Sequence, residues 1–315
     1  GKAWLSSITR IEVEYGSEVS NAPRSFVLKM LSESRASRDF SYELKAYERE
    51  INFYNNLAPN FPIRLPELYF SSSGHEANLM LMEDLSYLAP GDQIQGMTYE
   101  QALMTLESLS RVHAAYWNSP LLDNFGWLPT TNNIEVDYDE NWNSFVELCG
   151  DFIDAEALKV GEKLRTHILW LFEEISKRPK TLVHDDMKVD NLLFGNLDSD
   201  EGVVILDWQF VITNMGAIDA ARLGGGSLAP SERKGRQYEA LRHWYDKLLE
   251  YGVEDYSWDD AQRDFRLGAL YCICFPVQFH QGITRAHGRA LEYIQTLYSG
   301  LFLLALEIDA ESILR

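Results

Sequence analysis

Two short apolar runs interrupt a chain that is otherwise helical from about residue 98 onward, and each carries polar residues at fixed points. The first is Leu182-Val183-His184-Asp185-Asp186-Met187-Lys188-Val189-Asp190-Asn191-Leu192-Leu193-Phe194. The second is Val203-Val204-Ile205-Leu206-Asp207-Trp208-Gln209. Runs of this length, bounded by turn-forming residues, read as buried strands. A carboxylate, amide or imidazole at the end of a buried strand needs a partner, because an unpaired polar group costs roughly 2–7 kcal/mol. A turn flanked by such strands would bring Asp186, Asn191 and Asp207 together, with His184 bracing the backbone at its start.

The N-terminal part reads as sheet. Apolar and acidic residues alternate in Ile11-Glu12-Val13-Glu14-Tyr15, and Ser25-Phe26-Val27-Leu28-Lys29-Met30-Leu31 is apolar except for its central lysine. A helix follows over about Asp39–Leu57 and ends before Pro59, Pro62 and Pro66. Two further strands, Glu67–Phe70 and Asn78–Met82, flank a turn at Ser71–His75. From Thr98, a plausible cap, the pattern is helical: Thr98–Trp117, Asp137–Gly150, Ala155–Lys177, and Ser231 to the end. The chain therefore divides into residues 1–86, a small strand-rich lobe with one helix, and residues 87–315, a large and mostly helical lobe. Its class is α+β.

Composition narrows the partners. Asp and Glu number 48 against 28 Lys and Arg, a formal charge of −20. Such a chain repels phosphate backbones and anionic membranes, so neither nucleic acid nor membrane is expected as a partner. Three cysteines form neither a disulfide scaffold nor a zinc site and fit a reducing, cytoplasmic setting. No apolar run is long enough to span a bilayer.

The two apolar runs carry the parts that phosphoryl transfer needs. The transferred group passes through a loose transition state with its charge spread over oxygens, so catalysis is mostly positioning and neutralisation. Asp186 suits the base that orients an acceptor hydroxyl and takes its proton. Asn191 and Asp207 offer hard oxygen ligands for Mg2+. Lys29, central in an apolar strand, needs a counter-charge. A nucleotide phosphate and a helix glutamate would supply it, with Glu50 the best candidate and Glu43 the next. The plain alternative is a sheet-edge lysine reaching solvent.

The same residues resemble a family. Glu50-Ile51-Asn52-Phe53-Tyr54-Asn55-Asn56-Leu57-Ala58-Pro59, Met82-Glu83-Asp84-Leu85, His184 to Phe194, Leu206-Asp207-Trp208-Gln209 and Asp219-Ala220-Ala221-Arg222-Leu223 are similar to the aminoglycoside phosphotransferase and choline kinase superfamily, and within it to the ecdysteroid-kinase-like phosphotransferases. The resemblance implies a two-lobed, protein-kinase-like fold. It implies that Lys29 binds the α- and β-phosphates of ATP, that Glu50 orients it, and that Met82, Glu83 and Leu85 belong to a hinge whose backbone meets adenine. Asp186 would be the base, Asn191 and Asp207 the magnesium ligands, and Asp219 the anchor of the catalytic loop.

Three features depart from the family pattern. Asp185 stands where the family usually has Gly, and its charge would raise the pKa of Asp186. In place of a glycine-rich phosphate loop stands Gly1-Lys2-Ala3-Trp4-Leu5-Ser6-Ser7, where the loop would be either truncated or built on Ser6 and Ser7. Only a short segment separates Asp207 from Asp219, without room for an activation loop, which argues against a protein substrate.

The expected function is an ATP- and Mg2+-dependent kinase acting on a hydroxyl of a small molecule. The alternative is a pseudokinase that binds nucleotide or serves as a scaffold. The acceptor stays open among an aminoglycoside, a choline-like cation and a steroid-like alcohol. Trp244, Tyr271, Phe275, Gln278, Phe279 and His280 are its candidate liners, although most aromatic residues on helices are core.

Overall fold

The computed structural model describes residues 5–17, 22–74, 78–131, 137–195 and 202–314. The fold is mixed α+β, as the sequence implies. It divides into two compact units: residues 1–90 with 193–211, and residues 91–192 with 212–315.

The first unit is built on an antiparallel sheet of β1 (Ser6–Glu12), β2 (Ser25–Leu31), β3 (Leu68–Ser72) and β4 (Leu79–Glu83), in the order β1-β2-β4-β3. The alternating stretch around Ile11–Tyr15 is strand only as far as Glu12, because the paired strand begins opposite it at Ser25. Lys29 lies opposite Ile8 on one side and Met80 on the other, so it stands on an interior strand rather than at a sheet edge.

The single helix expected over 39–57 is two: α1 (Arg35–Glu43) and α2 (Ala46–Asn56). Lys45 between them adopts φ 54, a left-handed turn, and Arg49 Nη2 donates to the Leu44 carbonyl at 2.8 Å, satisfying an end that the break exposes. β5 (Ala89–Pro90), β7 (Leu192–Phe194) and β8 (Val203–Ile205) form a second small sheet in the order β5-β7-β8. Leu85, Leu88 and Val204, with Leu193 and Leu206 against them, are its apolar core.

The second unit is helical: α3 (Tyr99–Ala115), α4 (Tyr138–Cys149), α5 (Ala155–Leu164), α6 (Ile168–Ser176), α7 (Ala217–Gly226), α8 (Pro230–Arg233), α9 (Gln237–Glu250), α10 (Trp258–Phe279) and α11 (Arg289–Glu307). Thr98 caps α3 in a reciprocal capping box with Gln101. Among its described residues, β6 (Thr181–Val183) pairs with β9 (Ile212–Asn214). α7 is short and small-sided, with nine of its ten residues buried, and this lets α10 and α11 close against it. On α5, Gly161 provides the space for the Trp142 ring, which lies tilted against Phe145 and Phe302, themselves stacked on each other. No helix among the described residues is long and apolar enough to cross a membrane.

Candidate active site

In the first unit, β2, α2 and the turn after β8 bring three charged side chains together. Lys29 Nζ donates to Glu50 Oε1 at 2.8 Å and to Asp207 Oδ1 at 2.6 Å. The side chains of Lys29 and Glu50 are 9% and 3% exposed, that of Asp207 21%. Burial alone would pull the lysine pKa down, but the two carboxylates hold it above its ordinary value. Glu50 moves the other way: burial, with the charge of Asp207, pushes it up to about 7 despite its ion pair with Lys29. The trio holds one ammonium and two carboxyl groups, so it gains a surplus negative charge as Glu50 ionises above about pH 7.

Packing fixes that geometry. Trp208, next to Asp207, stacks on Phe53 of α2 at 4.6 Å and 6°, and its Nε1 donates to the Ile205 carbonyl at 3.2 Å. Phe53 lies three residues from Glu50, so one helix turn holds both Glu50 and the anchor of Asp207. Asp207 itself has φ 65, a conformation rarely adopted outside glycine, which turns its carboxylate out of the strand direction. Gln209 Nε2 donates to its other oxygen at 3.1 Å.

In the second unit, the segment from His184 to Asn191 is held largely by α7. The carboxylate of Asp219 accepts the amide N–H of His184 at 2.8 Å and of Asp185 at 3.0 Å. The main-chain anchor expected from the family resemblance is thus present, in the first turn of α7. The His184 ring accepts from the Asp186 amide at 3.2 Å, so it braces the backbone.

Asp185 has φ 61, the conformation for which glycine is the easy choice, and its carboxylate accepts the Tyr271 hydroxyl at 3.1 Å. The expectation that Asp185 raises the pKa of Asp186 fails. Burial does push the Asp186 carboxyl up, but Lys188 and Arg222 outweigh it and hold the group below the usual range. Arg222 donates to Asp186 Oδ1 at 3.0 Å, and Lys188 pairs with Oδ2. Asn191 Nδ2 donates to the Asp186 carbonyl at 2.9 Å, which leaves its amide oxygen as the end suited to a cation.

The remaining predicted residues fall in different places. Met82 and Leu85 are buried, and Glu83 is tied to β3 and its approach: its N–H donates to the Glu67 carbonyl at 2.8 Å and its side chain pairs with Arg64 at 2.7 Å. The neighbouring Asp84 pairs with Arg10 at 2.6 Å. Glu43 is exposed at the end of α1. Ser6 and Ser7 open strand β1 opposite Leu31 and Met30, so they are strand rather than loop; Gly1–Trp4 lie outside the described residues.

Of the candidate acceptor liners, Trp244 is core, with Nε1 on His113 Nδ1 at 3.0 Å. Gln278 donates to Asp137 at 3.2 Å, and His280 bonds the Val277 carbonyl at 2.8 Å and Ser144 at 2.9 Å. Phe275 packs on Phe279 and under Arg222. Sequence reading missed Lys188 and Arg222 as partners of Asp186. The available signal was Asp-x-x-Arg on an otherwise small-sided helix, where Asp219 and Arg222 share a face.

Comparison with known proteins bears on the fold and on the sequence of two segments. Residues 1–119 match the family model described as the ecdysteroid kinase-like family, and residues 157–279 match one described as "Uncharacterized oxidoreductase dhs-27". No curated protein matches. Among solved structures, the chain is similar to a microcompartment-associated aminopropanol kinase (12% identity, 98% of this chain and 94% of that one, TM-score 0.58). It is also similar to an ethanolamine kinase of Plasmodium vivax (14%, 96% and 80%, 0.55). A third is the GDP complex of a wild-type aminoglycoside 2'-phosphotransferase (15%, 90% and 86%, 0.53).

The fold is thus that of the protein-kinase-like phosphotransferases. Within that fold, the first 119 residues are similar in sequence to the ecdysteroid kinase-like family.

Proposed function

We propose that this protein transfers the γ-phosphoryl group of ATP to a hydroxyl of a small molecule. The observation that carries the reading is the buried Lys29, held by a helix carboxylate and by Asp207, a residue 178 positions further along the chain. A lysine on an interior strand is costly to keep there, and two carboxylates around it exceed what neutrality needs. Phosphate oxygens for the ammonium and a divalent cation for the surplus carboxylate would use both features.

Magnesium fits this donor set. The ion binds through one or two protein oxygens together with substrate phosphates and water rather than in an all-protein cage. In the proposal Asp207 and Asn191 ligate Mg2+, which when bound neutralises charge on the phosphates. Lys29 takes the α- and β-phosphates, Glu50 orients Lys29, and the main chain around Met82, Glu83 and Leu85 meets the adenine. Asp186 orients the acceptor hydroxyl and receives its proton. The three cysteines are free and buried, and we assign the protein to the cytoplasm.

The test is an ADP-release screen with ATP and Mg2+ over hydroxylated metabolites, sterols and aminoglycosides. The reading predicts turnover on at least one, lost by about 10²–10⁴-fold in Asp186→Asn while nucleotide still binds. Unchanged turnover in that variant would remove Asp186 from the base role. Nucleotide binding without turnover on any acceptor would instead support the pseudokinase.

A further inference from the structure

α7 reaches the segment around Asp186 with two side chains one turn apart. Asp219 takes the main-chain amides of residues 184 and 185, and Arg222 takes the side chain of 186. Arg222 is 2% exposed. Its guanidinium lies over the Phe275 ring, 4.1 Å from the centroid, a cation–π contact that a flat guanidinium makes well. Its Nε has no hydrogen-bond partner among the described residues. Lys188, the other cation on Asp186, differs: its side chain is 18% exposed, on a flexible stem in the same loop.

We infer that Arg222 is a positioning residue that fixes which oxygen of Asp186 works as the base, clamping Oδ1 and leaving Oδ2 for the acceptor. This rests on the kinase reading above. With Oδ1 held by a buried, stacked guanidinium, only Oδ2 can turn to a new partner, and Lys188 is the group able to give way. In the transfer, the acceptor O–H proton passes to Oδ2. The acceptor oxygen bonds the γ-phosphorus, the bond from that phosphorus to the β,γ-bridging oxygen breaks, and ADP leaves. Asn191 Nδ2, 3.3 Å from Oδ2, steadies the same oxygen. Tyr271 and Phe275, four residues apart on α10, support neighbouring parts of the loop: the first holds Asp185, the second backs Arg222.

The test is a double-mutant cycle between positions 222 and 186, read as steady-state transfer from ATP to the acceptor found by the screen. Arg222→Met is expected to lower kcat about 10²-fold, the lower end of what a misplaced general base loses, with the KM for ATP unchanged. Arg222→Lys should recover part of that loss. In the Asp186→Asn background, Arg222→Met should change kcat by less than about threefold, because a residue acting only through Asp186 has nothing left to position. Equal losses in both backgrounds would overturn the assignment. So would a raised acceptor KM at unchanged kcat, which would make Arg222 a binding residue. If Arg222→Met does not fold, Phe275→Leu carries the cycle: it should lower kcat in the wild-type background and leave Asp186→Asn unaffected. A wild-type protein that transfers phosphate to nothing removes the kinase reading itself, and the role of Arg222 with it.

Discussion

Replacing Lys29 with methionine removes the ammonium, keeps most of the stem, and leaves Glu50 facing Asp207 without a cation. Two limits bound the cost. Where Glu50 stays ionised, breaking a buried ion pair costs about 3–5 kcal/mol. Where Glu50 takes up a proton, the loss shrinks to an unmet hydrogen bond, about 1–3 kcal/mol.

Glu50 already sits at about 7, against 4.5 ordinarily, with Lys29 in place; without it the value moves higher still. The folded state therefore binds that proton more tightly than the unfolded chain does. Stability from this source is full below the unfolded value and is lost as pH rises through the folded one. Wild type loses the same stability up to its own value of about 7, so the deficit of Lys29→Met should grow only above that pH, by up to about 1.4 kcal/mol between about pH 5 and about pH 8. Urea unfolding at both pH values measures it. Measured against Glu50→Gln alone, the double variant should show no such growth, since no titrating group then remains at position 50 in either protein. A deficit equal at the two pH values, or a growth that survives Glu50→Gln, would refute the argument that Lys29 neutralises a buried Glu50.

Other substitutions probe the loop. Asp219→Ala strands the amides of His184 and Asp185, two buried donors at about 1–3 kcal/mol each, and should lower the urea midpoint and abolish transfer; Asp219→Asn, which retains one acceptor oxygen, should lose less. In Asp185→Gly the relief of a left-handed backbone offsets the lost Tyr271 bond, so thermal unfolding should change by less than about 1 kcal/mol. Asp185→Ala, with a Cβ and no acceptor, should be clearly worse in the same measurement. A Cβ at Gly91 would collide with the carbonyl oxygen of Val189. Gly91→Ala should therefore shift the segment carrying Asp190 and Asn191, lowering both stability and turnover, and wild-type behaviour would contradict the close approach.

The parts of the fold that were legible in the sequence are those where local pattern and tertiary setting agree. Lys29 stood out because a charge in an apolar strand needs explaining, and the same logic pointed to Glu50. Thr98 announced α3 as its cap, and the structure adds the reciprocal bond of the glutamine three residues later. Boundaries failed where the deciding partner is remote. Glu14 and Tyr15 continue the alternation of β1, yet β2 ends its pairing at Ser25. The break at Lys45 depends on a backbone conformation that no residue type there demands.

The same division holds in the candidate site. Asp186, Asn191 and Asp207 were marked by motif, but that Asp185 and Asp207 adopt left-handed φ is visible only in coordinates. Arg222 was missed because one arginine on a helix of small residues looks like a surface cation, and its burial comes from α10 and Phe275, about fifty residues further on. Its effect reversed the charge argument about Asp185: a neighbour in sequence counted for less than two cations brought in by the fold.

Calorimetric titration of ATP in the presence of Mg2+ into wild type, Lys29→Met and Asp207→Asn tests the central claim most directly. Saturable binding by the wild type, weakened at least about tenfold in each variant, is the predicted result, since charge-assisted contacts to phosphate contribute more than 1.4 kcal/mol apiece. Wild-type protein that gives no heat with the nucleotide, or variants that bind it undiminished, would contradict the assignment of this lysine and this aspartate to a nucleotide.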